Sequence, residues 1–187
     1  MAARRSTQVD LDDRADLTPV QYALLGLLHE HPSHGYELQR FFAPDGELSV
    51  IAPVEQPTLY AALKELAARQ LIAGTETREG LRPPRTVYEL SAAGERVLDA
   101  WLRAPVERLR QVRLDFLLKV YFARQRGVRV VRALVDAQIA ACHEYLARLE
   151  ERAATLSPDE LAYLVGESRT SAARGTLDWL RDYRRRL

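Results

Sequence analysis

Three histidines, His29, His31 and His34, fall close together, and Cys142 is followed directly by His143. Side chains of these types can hold a divalent metal or set a thiolate beside its base. Neither arrangement has the spacing it would need. No tetrahedral zinc pattern fits the histidines, and the chain's one cysteine is far from them. Neighbours on a helix point about 100° apart, so Cys142 and His143 cannot pair directly. No glycine-rich phosphate loop, paired-carboxylate motif or elbow-type serine is present. The sequence therefore predicts no enzyme, no cofactor and no metal.

A different chemistry is carried by Thr58, Tyr60 and Lys64. On a helical wheel Leu59, Leu63 and Leu66 fall within about 60° of one another and must face a core. Ala61, Lys64 and Ala68 then lie opposite, flanked by Thr58 and Tyr60. Such a face is narrow enough for a DNA major groove, which is about 12 Å wide. Its hydroxyls and single cation can reach phosphates or base edges. A second group follows in Arg78, Arg82 and Arg85, set around Pro83-Pro84. Prolines fix φ and stiffen such a tip, and a stiff basic tip can reach a neighbouring minor groove or backbone. A solvated helix face and an ordinary exposed hairpin have the same composition, so the elements around them must decide.

Residues 1–16 have few apolar side chains and no period, and read as a flexible tail. Thr18-Pro19-Val20-Gln21 combines a hydroxyl cap, a proline in the first turn and a glutamine three residues on, which is a capping box. Leu17 and Tyr22 can close a hydrophobic staple over it. A first helix runs from there to near Pro32. A second is expected from about Ser33 to Phe42, and a third from near Pro57 to about Gln70. The period then changes. Leu71 to Arg78 and Thr86 to Leu90 read as two short strands around a turn-forming loop. Ser91 caps a fourth helix ending near Arg103. Three helices and a hairpin in this order make a winged helix-turn-helix over residues 17–104.

Residues 105–187 read as helical throughout. Val106 to Arg126 is expected to be one helix, interrupted at Gly127, with a longer one from Val128 to about Ala154. In that helix Val128, Val135, Cys142, Leu149 and Leu156 recur every seven residues, with Ile139, Leu146 and Ala153 between them. A seam of this kind meets another helix. Val135, Ile139, Cys142, Leu146 and Leu149 are thus the expected dimer contacts, with Cys142 acting as a small buried hydrophobe. Ser157-Pro158-Asp159-Glu160 is a second capping box before the last helix. Aromatics at Trp101, Phe116, Tyr121, Phe122, Tyr145, Tyr163, Trp179 and Tyr183 could form core or line a small-molecule pocket between the halves, and no residue names the ligand. The fold class is mainly α, a winged helix followed by a helical dimerisation domain.

Composition sets limits. Among 187 residues 47% are hydrophobic, enough for a packed core. No window reaches the roughly 18 apolar residues of a membrane span. One cysteine and no apolar leader fit a cytoplasmic protein. Net charge is +1 overall, but residues 17–103 carry 8 basic and 11 acidic groups, while 104–187 carry 16 and 11. A strongly basic N-terminal domain, the usual footprint of a nucleic-acid binder, is absent. DNA contact would have to rest on where cations are placed, not on how many there are.

Three motifs complete the reading. His34-Gly35-Tyr36-Glu37-Leu38, then Pro57-Thr58-Leu59-Tyr60-Ala61-Ala62-Leu63, then Pro84-Arg85-Thr86-Val87-Tyr88-Glu89-Leu90-Ser91-Ala92-Ala93-Gly94 resemble the signatures of PadR-type transcriptional regulators in order and spacing. The helical C-terminal half resembles the larger PadR subfamily. The resemblance implies a homodimeric repressor on double-stranded DNA, released by an effector, with small aromatic compounds as candidates. It places Tyr36 and Arg40 near the DNA backbone, Thr58, Tyr60 and Lys64 in the major groove, and Arg85 on the wing, with Arg82 beside it. Pro57, Ala61, Thr86 and Glu89 depart from the family pattern. The last two remove wing cations, which lowers the expected salt dependence by roughly 0.9 per lost phosphate contact. The alternative is a winged-helix protein–protein adaptor that never meets DNA, which the net −3 of residues 17–103 favours.

Overall fold

The computed structural model describes residues 17–78, 85–107, 112–158 and 161–187. The tail at 1–16, Arg82 with Pro83-Pro84, and Asp159-Glu160 of the second capping box lie outside the described residues.

Helix α1 spans Pro19–Glu30 and starts as its capping box requires: Gln21 N donates to the Thr18 hydroxyl at 3.3 Å, and Thr18 N donates to Gln21 Oε1 at 2.8 Å. Leu17 and Tyr22 are both buried in the same core. Helix α2 covers Gly35–Phe42 and α3 covers Gln56–Ala68. Strands β2 (Ile72–Thr77) and β3 (Arg85–Leu90) form the wing in antiparallel register, Ile72 opposite Leu90 and Thr77 opposite Arg85. Helix α4, Ala92–Arg103, begins where the Ser91 hydroxyl accepts from Gly94 N at 3.0 Å. A Cβ on Gly94 would lie 2.1 Å from Leu71 O. The bare glycine therefore lets α4 start directly against the head of the wing.

The second helix does not begin at Ser33. Ser33–His34 is instead a short strand, β1, whose residues pair with Tyr88 and Val87 of β3, giving the sheet order β1-β3-β2. The Glu37 carboxylate accepts from His34 N at 2.8 Å, so the helix starts one residue later.

The expected single helix from Val106 to Arg126 is also corrected. Val106 lies outside any helix, and its N–H donates to Gln138 Oε1 at 2.7 Å while its carbonyl accepts from Gln138 Nε2 at 3.0 Å. Those bonds satisfy a buried backbone unit that would otherwise drive helix formation. A π-helical turn covers Val112–Phe116 and runs into α5, Leu117–Gln125. Gly127, with φ of 104°, makes the bend into α6, Val128–Ala153, and α7, Leu161–Arg185, returns along it.

Two cores result. One holds α1 to α4 and the sheet, and it takes in Leu118 and Phe122 from α5. The other holds α6, α7 and the opposite side of the α5 region, with Phe116, Val120 and Ala123. Helix α5 is thus common to both, just beyond the expected boundary at 104/105. Where α1 crosses it, a Cβ on Gly26 would meet the Phe122 ring at 2.5 Å, so only glycine admits that ring.

The seven-residue seam is filled from within the chain. Val135, Cys142, Leu146 and Leu149 are buried with Ala173, Leu177 and Leu180 of α7, and Ile139 packs against them half-buried. Within the chain, the helix that this seam meets is α7. Among the described residues no helix is long and apolar enough to cross a membrane.

Candidate nucleic-acid interface

Helix α3 carries the face its leucines demanded. Leu59, Leu63 and Leu66 have no exposed surface, whereas Thr58, Tyr60, Ala61, Lys64 and Ala68 are exposed. Its orientation is fixed from both sides. Gln21, itself buried, uses its Nε2 to donate to Glu65 Oε2 at 2.7 Å, tying α3 to the capping box of α1. Gln39 Nε2 donates to Val54 O at 3.0 Å, holding α2 to the approach segment of α3. No side chain caps the first turn of α3 and no acid stands in it. Its N-cap residue is the exposed Glu55, whose side chain makes no cap bond.

Tyr60 of α3 meets α2 at a glycine. A Cβ on Gly35 would fall 2.8 Å from the Tyr60 ring, so the ring rests on the bare backbone at the start of α2. Tyr36, 69% exposed, stands beside it, and Arg40 is exposed one turn further along α2. The structure thus brings Tyr36, Arg40, Thr58, Tyr60 and Lys64 onto adjoining surfaces of α2 and α3. Sequence reasoning listed these residues but missed the Gly35–Tyr60 contact. The glycine between His34 and Tyr36 was its only signal. Arg85 is exposed at the base of β3, where its carbonyl accepts from the Thr77 hydroxyl at 3.2 Å. Arg82 lies outside the described residues. Among the described residues Arg40, Lys64 and Arg85 have no ion-pair partner.

The histidines serve structure. His34 Nδ1 lies 3.3 Å from Thr86 O, and His29 Nδ1 lies 3.9 Å from Glu95. No group of three metal-capable side chains occurs among the described residues. Cys142 is a buried free thiol whose pKa burial pushes up, which makes it a poor nucleophile.

A buried cation behind this surface was not foreseen. Lys119 of α5 is 3% exposed, donates to Ala104 O at 2.5 Å and sits 5.1 Å from the Trp101 ring centre. Trp101 in turn stacks on Tyr22 at 4.6 Å. Burial pulls the lysine down to about 8, with Asp115 opposing the shift. Among the other predicted pocket aromatics, Phe116 and Phe122 are core, and the Tyr121 hydroxyl donates to Glu47 at 2.6 Å. Trp179 remains 39% exposed.

Residues 24–100 match the transcriptional regulator PadR-like family, and residues 112–187 match the virulence activator alpha C-terminal family. The chain is 25% identical to the negative transcriptional regulator PadR of Bacillus subtilis (strain 168) over 171 residues, covering 86% of this chain and 93% of the relative. Among solved structures it resembles Bacillus subtilis PadR in complex with operator DNA, with TM-score 0.46 and 23% identity over 90% of this chain and 97% of that one. It also resembles the same protein in complex with p-coumaric acid, with TM-score 0.43 and 23% identity over 89% and 96%.

Proposed function

We propose that this chain, whose residues 24–100 match the PadR-like family of transcriptional regulators, is a homodimeric repressor whose α3 helices enter successive major grooves of a pseudo-palindromic operator. Half-sites one turn apart require recognition helices about 34 Å apart. The observation that carries this reading is the outer face of α3. It is small, hydroxylated, free of acids in its first turn, and bordered by cations that no carboxylate among the described residues neutralises. Thr58, Tyr60 and Lys64 read or grip the groove, Tyr36 and Arg40 hold the flanking backbone, and Arg85 with Arg82 extends the wing toward the neighbouring minor groove. Repression is the sense supported by the 25% identical negative regulator.

A small effector releases the DNA by favouring a conformation in which the two α3 helices no longer match the groove spacing. Support comes from α5, which is packed into both cores, so the C-terminal half cannot shift without moving the bed of α1. A protein of this kind works in the cytoplasm. The test is a gel shift against the DNA upstream of its own gene, repeated at rising salt. A complex that weakens steeply with salt is expected. No salt-sensitive complex would favour the adaptor reading.

A further inference from the structure

Helix α3 contains one acid, Glu65, and it lies on the outer face. At 100° per residue Glu65 falls nearer the point opposite Leu59, Leu63 and Leu66 than either Thr58 or Tyr60 does. Its side chain is held in place. Gln21, 1% exposed, donates from Nε2 to Glu65 Oε2 at 2.7 Å. The other end of that amide is engaged as well, since Gln21 Oε1 accepts from Thr18 N at 2.8 Å. The amide therefore cannot turn over, and it always offers Glu65 a donor. Only one carboxylate oxygen is used. Among the described residues nothing donates to Oε1, and no cation reaches the group although Lys64 precedes it and Arg69 follows one turn later.

An acid on a DNA-facing helix is unfavourable unless it meets a donor. Phosphates repel it, and most groups on the base edges of the major groove are acceptors. Guanine shows N7 and O6, thymine shows O4, and adenine sets its N6 amino group beside the acceptor N7. Cytosine presents an amino group, N4, with no acceptor of its own on that edge. We infer that Glu65 is a specificity-determining residue of the DNA site, its Oε1 accepting from the N4 amino group of one cytosine in each half-site. This rests on the repressor reading, since it needs α3 in the groove. The bond to Gln21 accounts for the orientation of Glu65 and not for its charge. A neutral acceptor would satisfy Gln21 Nε2 equally well, whereas the charge and the spare oxygen strengthen a bond from a base amino group. A side chain already fixed by a buried partner also loses little freedom on binding.

The tie to Gln21 gives each substitution a definite result. In Glu65→Gln the oxygen of the new amide faces Gln21 Nε2, so its amino group points outward where Oε1 was. A donor then stands in place of the acceptor. Cytosine is refused there, and thymine, whose O4 accepts, is taken instead. The tie itself survives, which keeps α3 on α1. Glu65→Ala leaves Gln21 Nε2 without its acceptor and presents no polar atom to the base.

Selection of sites from randomised double-stranded DNA by the full chain tests the assignment. The parent is expected to recover a cytosine at one fixed position of each half-site, and its change to thymine to weaken binding about tenfold. Glu65→Gln should bind the thymine form at least as well as the cytosine form, and Glu65→Ala should treat the two alike. A further measurement needs no variant. Replacing that cytosine with 2-pyrimidinone, which lacks the 4-amino group, should also weaken the parent's binding about tenfold. A parent site without cytosine dependence overturns the inference and leaves the repressor reading intact. So does a cytosine preference that survives in both variants while their affinity falls equally for every sequence, because Glu65 would then only hold α3 to α1. A parent that selects no sequence at all sinks the repressor reading, and this role for Glu65 falls with it.

Discussion

In the C-terminal half, Arg126, Arg174, Arg181, Arg184 and Arg185 each reach a carboxylate, four of them within 2.9 Å. In the winged helix, Arg40, Lys64, Arg69 and Arg85 reach none among the described residues. Residue counts pointed the other way, with net −3 for residues 17–103 and net +5 for 104–187. Much of the C-terminal surplus serves to stitch α6 to α7, as in Arg174–Glu150 and Arg184–Asp136. The smaller N-terminal supply is left free beside one narrow face. Net charge per domain is thus a poor guide to an interface when some of its cations are already engaged.

The comparison breaks first at its free cations. Lys64→Glu with Arg85→Glu should cost the DNA complex at least about 3 kcal/mol, since single base or phosphate contacts are worth roughly 1–3 kcal/mol. Titration of labelled operator measures it. Arg184→Gln, which removes a paired cation, should leave operator affinity unchanged and barely move the unfolding midpoint, as exposed pairs do. Equal losses of DNA affinity from both sets would erase the distinction between the halves.

The next effect concerns the buried cation between them. Lys119 folds with a pKa of about 8 against an ordinary 10.5. As pH rises through 8 the folded chain releases this proton first, while the unfolded chain still holds it. Stability therefore climbs from about pH 8 upward, and the burial penalty is present in full below that. The span corresponds to about 3 kcal/mol. Lys119→Met should flatten the climb in urea midpoints between about pH 8 and 9.5, below the range where tyrosines ionise. A climb that persists in the variant would place its source elsewhere.

Smaller still is the glycine that seats Tyr60. Gly35→Ala sets a methyl 2.8 Å from that ring. Operator affinity should fall by about 1 kcal/mol, the scale of one misplaced contact, with unfolding midpoints moving less than for Thr18→Ala. The latter removes the α1 cap and should cost about 1 kcal/mol of stability with little effect on DNA.

What could be read from the sequence followed the range of the interactions. The start of α1, the cap of α4 and the buried side of α3 are set by residues within a turn of one another, and all three appear as expected. Strand β1 exists only because β3 arrives some fifty positions later to pair with it. Val106 stays out of a helix because Gln138 in α6 takes both of its backbone groups. The seam of α6 announces a helical partner without saying which chain supplies it, and α7 does. For the site, leucine spacing exposed the right face of α3. The Gly35–Tyr60 seat and the buried Lys119 depend on α2 and α4, which no local pattern around them names.

The central claim is that the outer face of α3 lies against base pairs. Its most direct test replaces Ala61 with a benzophenone amino acid and irradiates the protein on operator DNA, with Val165 of α7 replaced as the control. Adducts to bases from position 61 and none from 165 are predicted. A protein that still shifts DNA yet yields no adduct from position 61 would contradict the account.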